Sequence, residues 1–275
     1  MKLELLGVVY KDEDSLVRLL SSCHALQTLN VQRNRDDNVI KFSVRVPSLK
    51  TLVYVNLLNS GGSLIIDTPR LKYFEINDSS EDDLLIECMN PSLVMASVHV
   101  TSHLNELFLR SLSSVLFLNI TLIYATEVLC SATNFSQLIE CKLRPCGSDY
   151  WVESVMMLLH NSPKLKVLMI SSEDIYESRD LPLQSSVSGC LLSTLEVFEW
   201  KEYGGTRQEK HLLTYILENS KCLKTAGISI MSCYFDFQKE MIKEELKSIS
   251  RVSVTSQLLF SVNYKWRSLA EHLVF

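Results

Sequence analysis

Two histidines, His99 and His103, stand four residues apart, the spacing that places two imidazoles on one face of a helix in metal-binding motifs. A zinc or related site would need a third protein ligand, and none accompanies the pair. The two residues also flank a predicted strand and its turn instead of lying on a helix. We therefore expect no metal-binding residues here.

The segment Gly204-Gly205-Thr206 could offer backbone amides to an anion at the start of a helix. Neither a Gly-Lys-Ser/Thr motif nor a Gly-x-Gly-x-x-Gly motif accompanies it. Thr206 and Glu209 have instead the spacing of a capping box, in which each side chain bonds the other residue's amide. The segment is better explained as a helix entry than as a cofactor site.

The remaining candidates for chemistry are a carboxylate run and a pair of thiols. The run 81–83 is a polar turn with no nearby base, which gives no support to general acid-base catalysis. Cys141 and Cys146 could be a nucleophile and its resolving partner, but Cys141 occupies a core position of the repeat described below, where a thiol behaves as a small hydrophobic group. Trp200 occupies a core position as well. We predict a non-enzymatic protein without catalytic residues and without a cofactor.

Composition and charge narrow the class of partner. The 275 residues are 47% hydrophobic and 21% charged, which is ordinary for a globular protein. The formal charge of -5 leaves no basic surface for a phosphate backbone, so nucleic acid is not expected as a partner.

No targeting or membrane segment is predicted. The first ten residues lack a cleavage site of a signal peptide, and the apolar stretch 112–125 is interrupted by polar residues and falls short of the roughly 20 residues that span a bilayer. The eight cysteines form no C-x-x-C pair, and we expect them to be reduced and buried. A cytoplasmic or nuclear protein without membrane contact is the expectation.

One pattern recurs ten times along the chain: an apolar residue, two variable residues, an apolar residue, one variable residue and a third apolar residue. The first apolar positions are separated by 22 or 23 residues in the first six steps and by 27, 30 and 28 residues in the last three. These spacings fall in or next to the range of leucine-rich repeats. The first apolar residues are Leu3, Leu26, Leu49, Leu71, Leu93, Val115, Leu138, Leu165, Leu195 and Leu223.

The pattern predicts one parallel strand per repeat. Side chains alternate between the two faces of a strand, so the second and third apolar residues enter a shared core and the residues between them face solvent. We predict an α/β leucine-rich-repeat solenoid with a curved parallel sheet, closed by a C-terminal α/β module. Leu29, Leu52, Leu118, Leu168 and Phe198 are expected to be buried.

The segments between the strands differ along the chain. Three early returns, 38–44, 62–67 and 83–88, leave room only for short extended or irregular structure. Helices are predicted after the acidic residues 12–14, over 149–160, over 206–219 and near 238–248, and a closing strand over 256–262.

Four segments stand out in the C-terminal third: GCLLSTLEVFEWK (189–201), YGGT (203–206), YILEN (215–219) and CLKT (222–225). Together they resemble the FBD module of plant F-box/FBD/LRR-repeat proteins. The repeats resemble that family in LLSSCHALQTL (19–29), PSLKTL (47–52) and SPKLKVL (162–168).

The resemblance implies a repeat array over 1–186, an FBD domain over 187–260 that continues and caps it, and a C-terminal extension over 261–275. It implies the substrate-recognition half of an F-box ubiquitin-ligase receptor. Members of the family usually begin with an F-box, whereas the repeats here begin at residue 3, so no Skp-type adaptor is expected to bind this chain alone. Two alternatives remain: a truncated or degenerate member with no client, and a competitor of full-length relatives.

We expect an unidentified client protein to bind the concave strand face, through side chains that alternate with buried apolar residues. Rigid presentation on a packed core lowers the ordering cost of binding. The candidate partner-binding residues are Asn30, Tyr73, Glu75, Asn77, His99, Glu140, Lys142, Arg144, Glu199 and Lys201.

Overall fold

The computed structural model describes residues 1–34, 36–57, 62–79, 84–88, 92–101, 106–122, 133–146, 150–172 and 186–260. The chain divides into two compact units, which we call unit 1 (Met1–Leu118 with His272–Phe275) and unit 2 (Asn119–Glu271). Each is described by itself.

In unit 1, five of the predicted repeat strands lie side by side in sequence order, and every pair is parallel. The next repeat strand, β9 (Phe117–Leu122), begins where this unit ends, and the amides of Leu116 and Phe117 donate to the Val94 carbonyl at 2.8 and 3.2 Å. The five strands are β1 (Lys2–Val8), β2 (Thr28–Arg33), β4 (Thr51–Asn56), β6 (Tyr73–Asp78) and β8 (Met95–Val100).

The three early returns form a second, smaller parallel sheet, with the order β3-β5-β7. Phe42 pairs with Leu64, and Leu64 with Ile86, so the returns stack with the same step as the repeat strands. The expectation of short extended segments is confirmed, but their pairing into a sheet was not predicted. The strands are β3 (Lys41–Val44), β5 (Gly62–Ile66) and β7 (Leu84–Cys88).

Helix α1 (Glu13–Ser21) follows β1, and its start is fixed by Asp12, whose carboxylate accepts the Ser15 amide at 2.7 Å. Leu16 and Leu20 lie four residues apart on its buried side. Later in the unit, α2 (Glu106–Ser111) continues into a short 3-10 helix, Leu112–Ser114.

A buried ion pair holds the first return against the sheet of unit 1. Arg33 Nε donates to Asp37 Oδ2 at 2.5 Å, and the two side chains are only 6% and 0% exposed. The other guanidinium nitrogens donate to the Tyr54 hydroxyl at 2.9 Å and to the Val39 carbonyl at 2.5 Å. Each of the three guanidinium nitrogens thus donates a hydrogen bond, which offsets the cost of burying the charge.

Unit 2 continues with repeat strands that pair parallel and in sequence order, now joined by helices. The strands are β10 (Glu140–Pro145), β11 (Val167–Ser171), β12 (Val197–Tyr203), β13 (Thr225–Ile230) and the short β14 (Gln257–Leu259). The helices are α3 (Trp151–His160), α4 (Gly189–Ser193), α5 (Arg207–Asn219) and α6 (Asp236–Lys247).

The predicted capping box at the start of α5 is confirmed. The Thr206 amide donates to Glu209 Oε2 at 2.9 Å, and the Glu209 amide donates to Thr206 Oγ1 at 3.2 Å. Gly205, just before the cap, has φ of +73°, a conformation that glycine adopts without strain. The Gly-Gly-Thr segment therefore serves as the helix entry.

The repeat cores are as predicted except in the first repeat. There the motif places Leu6 and Val8 in the core, but Leu6 is 59% exposed and Leu5 is buried, because Leu3 and Leu5 are the residues that pair in register with buried Leu29 and Val31. Leu29, Leu52, Leu168 and Phe198 are fully buried, and Leu118 is buried with 2% exposure. Trp200 also lies in the core, with edge-to-face contacts to Trp151, Phe198 and Tyr203. The described chain is a mixed α/β structure built on parallel repeat strands.

The expectation that the cysteines are buried was wrong for three of them. Cys141 and Cys190 are buried, but Cys146, Cys222 and Cys233 are exposed, because they lie at strand ends and turns and not at motif positions. The helix predicted near 238–248 is present as α6, with Leu246 buried and Met241 69% exposed.

We predict that Leu168→Ala destabilises the chain by about 2–5 kcal/mol, because it removes a fully buried side chain from the middle of β11 and leaves a cavity. Denaturant unfolding of the full chain measures this loss. Lys221→Ala, an exposed turn position, is the matched control and should unfold with the wild type. A loss below about 1 kcal/mol for Leu168→Ala would contradict the shared core.

We further predict that Asp37→Ala destabilises the chain by about 3–5 kcal/mol, because the buried Arg33 guanidinium would lose its counter-ion. The control is Glu4→Ala, which breaks the exposed ion pair with Lys2 and should leave the unfolding midpoint nearly unchanged. Equal effects of the two substitutions would show that the buried pair is not a structural tie.

Candidate functional site

The outward side chains of the repeat strands in unit 1 form a surface that we call the first strand face. On each strand they alternate with buried residues, as in β4, where Val53 lies between buried Leu52 and Tyr54. Parallel pairing without a shift from β2 to β8 aligns them in three rows. From β1 to β8 the rows are Lys2-Thr28-Thr51-Tyr73-Met95, Glu4-Asn30-Val53-Glu75-Ser97 and Leu6-Gln32-Val55-Asn77-His99.

Five of the predicted partner-binding residues lie together on this face. Asn77 is paired in register with His99, and Tyr73 and Glu75 lie on the same strand, where the tyrosine hydroxyl donates to the glutamate carboxylate. The Asn30 side chain donates a hydrogen bond to Glu4 at 3.3 Å. Asn30 lies in the same row as Glu75, two strands away from it. All five predicted residues are partly exposed.

The Tyr73–Glu75 pair has an electrostatic consequence. Burial of the phenol, together with its hydrogen bond to Glu75 and the negative charge of that carboxylate, raises the pKa of Tyr73 above its usual value. Tyr73 thus remains a neutral hydroxyl whose orientation is fixed by Glu75. It presents an aromatic ring with little freedom left to lose on binding.

The other five predicted residues lie on the outward positions of unit 2, which we call the second strand face. Lys142 pairs with Met169, and Met169 with Glu199, so these three form one row across β10, β11 and β12. Glu140 begins the neighbouring row, which continues through Val167 and Val197.

The expectation that these outward residues face solvent was wrong for two of the five. Glu140 is 6% exposed and Glu199 is 4% exposed, whereas Lys142 and Arg144 are partly exposed and Lys201 is exposed. The physical reason is their apolar surroundings on this face: Val167, Met169 and Val197 form a buried cluster between them. We call these three residues the apolar patch.

Burial changes the chemistry of Glu199. Desolvation raises the pKa of its carboxyl group, against the attraction of Lys201, whose Nζ lies 3.7 Å from Oε1, and of Lys142. Its second oxygen, Oε2, is buried and accepts no hydrogen bond from the residues that the structure describes. A buried acceptor of this kind costs free energy unless a donor reaches it.

The apolar patch was missed in the sequence, although a signal for it is present. Strand β11 reads Val-Leu-Met-Ile without a polar residue in alternation, and a continuous apolar run is typical of a strand buried on both faces. The repeat motif assigns only Leu168 and Ile170 to the core. The motif therefore gives no indication that Val167 and Met169, on the other face of β11, are also buried.

Of the residues first considered for chemistry, those that the structure describes do not assemble into a reactive site. Cys141 is buried in the core and Cys146 is exposed, and the described residues hold no group of three or more His, Cys, Asp or Glu side chains that could bind a metal. His103 and the run 81–83 lie outside the described residues. Across the described part of the chain, no helix is long and apolar enough to cross a membrane.

Comparison with known proteins gives family matches at the N-terminal repeat and in the C-terminal third of the chain. Residues 183–228 match the FBD family model, and residues 2–24 match a Leucine Rich Repeat model. The chain is 44% identical over 94% of its length to a putative FBD-associated F-box protein of Arabidopsis thaliana. It is 41% and 42% identical over 97% of its length to two putative F-box/FBD/LRR-repeat proteins of the same organism.

The predicted resemblance is therefore confirmed. The match spans 62%, 61% and 61% of the length of these three relatives, so the chain corresponds to about three fifths of each.

We predict that Glu199→Gln stabilises the chain at neutral pH. A raised pKa means that the folded state holds its proton more tightly than the unfolded state, so wild-type stability is greatest below the ordinary carboxyl pKa and falls as pH rises through the raised value. The gain from the substitution should thus be largest at neutral pH and disappear in acid. Thermal unfolding across this pH range measures it.

Glu196→Gln is the control of opposite sign. A hydrogen bond from Lys224 lowers the pKa of Glu196, so its charge stabilises the fold above the ordinary carboxyl pKa. The glutamine variant should lose stability at neutral pH and match the wild type in acid. A stability loss at neutral pH from both variants would contradict a desolvated Glu199.

Proposed function

Because this chain carries the FBD domain and repeats found in F-box/FBD/LRR-repeat proteins, we propose that it is a protein-interaction module resembling the substrate-recognition part of an F-box ubiquitin-ligase receptor. In this proposal it performs no catalysis of its own. It selects a client protein, and an F-box segment supplies any link to a Skp-type adaptor.

The proposed architecture is a leucine-rich-repeat solenoid over 1–186, an FBD domain over 187–260 that continues and caps it, and an extension over 261–275. The regular repeat spacing and the parallel, in-order strands of each unit support it. In such arrays each repeat contacts only its neighbours, and the strand side offers an extended binding surface.

The observation that carries the proposal is the register of the first strand face. Three rows of side chains run across five parallel strands, and along β4 and β6 they alternate with buried core residues. A client bound there meets side chains that are already positioned, which reduces the entropic cost of association.

The composition of this face suits a polar protein surface with one aromatic anchor. Hydroxyl and amide groups of Thr28, Thr51, Asn30 and Asn77 offer hydrogen bonds, and Tyr73 offers a ring oriented by Glu75. Interface hot spots are enriched in tyrosine and arginine, so Tyr73 on the first face and Arg144 on the second are the proposed anchors.

We predict that Tyr73→Ala and Arg144→Ala each weaken client binding by about 1–2 kcal/mol and leave thermal stability nearly unchanged. Clients are first sought by affinity purification from plant tissue, in which the wild type and both variants serve as parallel baits. Lys221→Ala, an exposed position away from the strands, is the bait control. The affinity of each purified candidate is then measured by calorimetry.

Two outcomes would contradict the proposal. In the first, client affinity is unchanged by both substitutions but falls with His211→Ala or Glu218→Ala on the exposed side of α5. The FBD domain would then bind the client, and the repeats would serve only as its scaffold. If no captured protein depends on either surface, the alternative of a truncated or degenerate family member with no client is favoured.

A further inference from the structure

Helix α6 turns its largest apolar side chains towards solvent. A surface helix usually buries its apolar side chains and exposes its polar ones. On α6 only Leu246 is buried, whereas Phe237 is 63% exposed and Met241 is 69% exposed. Phe235, directly before the helix, is 72% exposed. Neighbouring apolar side chains with this degree of exposure are typical of interaction surfaces.

The three exposed side chains form one surface, which we call the α6 patch (Phe235, Phe237 and Met241). The two phenyl rings stack, with 6.2 Å between their centroids and 9° between their planes. Met241 lies four residues after Phe237, so the two share one side of the helix. The Phe235 amide donates to Gln238 Oε1 at 3.0 Å, which fixes the backbone at the helix start. The patch is therefore ordered before a partner binds, which lowers the entropic cost of binding.

A row of carboxylates runs beside the α6 patch. We call it the acidic row, and it consists of Asp236, Glu240 and Glu244, which are spaced by four residues and are all exposed. Residues four apart follow one another along a helix surface, so this row lies next to the row that contains Phe237 and Met241. The exposed side of α6 thus combines apolar and acidic side chains.

The carboxylates of the acidic row are accessible to a partner. Lys243 Nζ lies 2.5 Å from Glu240 Oε1, and Lys247 Nζ lies 2.6 Å from Glu244 Oε1. Exposed ion pairs of this kind contribute little free energy, so a cation of a partner can replace either lysine at small cost. Asp236 pairs with no cation among the described residues.

Area and charge decide which partner this surface fits. The exposed parts of the two phenyl rings amount to roughly 200–350 Å², whereas a stable interface buries about 800 Å² on each partner. The patch is therefore too small to hold a stable dimer. A second copy of the chain would also bring a second acidic row, and anionic lipid headgroups would be repelled in the same way.

We propose that the α6 patch binds a short basic amphipathic helix of another protein. Aliphatic residues of that helix would lie on the aromatic pair and Met241, and its lysine or arginine residues would pair with the acidic row. The twelve residues of α6 span about 18 Å, so about three turns of the partner would cover the surface. The inference does not require that either strand face bind a client.

Selection from a display library of three-turn helical peptides tests the proposal, with the full chain as bait. The wild type should enrich peptides that carry aliphatic residues in one row and lysine or arginine in the adjacent row. A second bait with Asp236→Asn, Glu240→Gln and Glu244→Gln keeps the apolar residues and should enrich peptides without the basic row. No enrichment by the wild type, or the same basic peptides from both baits, would overturn the proposal.

The affinity of the most enriched peptide is then measured by fluorescence anisotropy. Phe237→Ser and Met241→Ser should each weaken binding by about tenfold or more, because a few anchor residues carry most of the binding energy of an interface. Val254→Ser is the matched control, since Val254 is 96% exposed but lies outside the patch, and it should bind as the wild type does. Equal affinity of the wild type and both patch variants would refute the proposal.

A change in folding cannot account for the expected losses if two further results are obtained. The substituted side chains are exposed, so thermal unfolding of the variants should stay close to that of the wild type. The neutral variant of the acidic row keeps every apolar residue, and its remaining affinity for the same peptide should depend less on salt concentration than that of the wild type. An identical salt dependence would show that the acidic row takes no part in binding.

Two measurements address the other possible occupants. In sedimentation at increasing protein concentration, the wild type should behave as Phe237→Ser does, and a dimer that this substitution abolishes would overturn the proposal in favour of a second copy. The wild type should also not pellet with vesicles of phosphatidylcholine and phosphatidylserine. Pelleting that Phe237→Ser abolishes would identify a lipid surface as the occupant instead.

Discussion

A single repeat of this chain cannot bury its own apolar residues, and the rest of the structure depends on that constraint. Each strand has an inward face that is stable only against the inward faces of its neighbours, as in the column Leu29, Leu52 and Phe74. Alternation along the strand then fixes the outward residues as well, because a slip of one position would exchange the two faces. The core and the outward surface are therefore set by the same register.

The same constraint acts on the returns. Since successive repeats advance by nearly the same number of residues, Phe42, Leu64 and Ile86 also come into register and form a second sheet. From β2 to β8 the repeats thereby close without helices between their strands, whereas α1 lies between β1 and β2. Arg33 and Asp37 tie the first return to Tyr54, which lies on the repeat sheet. In unit 2 the longer repeats have room for helices α3 to α5, which take over this role.

Features that depend on local residues could be predicted from the sequence. The repeat strands follow from periodicity, and the start of α5 follows from Thr206 and Glu209, which lie three residues apart. Features that depend on residues far apart could not. The Arg33 network needs Tyr54, which is 21 positions away, and the burial of Glu140 and Glu199 arises from their neighbours across strands. The positions of the candidate site residues on the strands were predictable, but the burial of Glu140 and Glu199 was not.

The two strand faces show how one repeat pattern can serve different purposes. Where the outward positions hold threonine, asparagine and tyrosine, the core residues keep them in place and leave them accessible, so they can change without disturbing the fold. Where they hold Val167, Met169 and Val197, the outward face becomes a second core and acquires the costs of one, including a desolvated carboxylate at Glu199. The outward residues of the second strand face therefore cannot be changed as freely as exposed residues, because they are packed like core residues. The second strand face thus carries a cost of burial that the partly exposed first strand face does not.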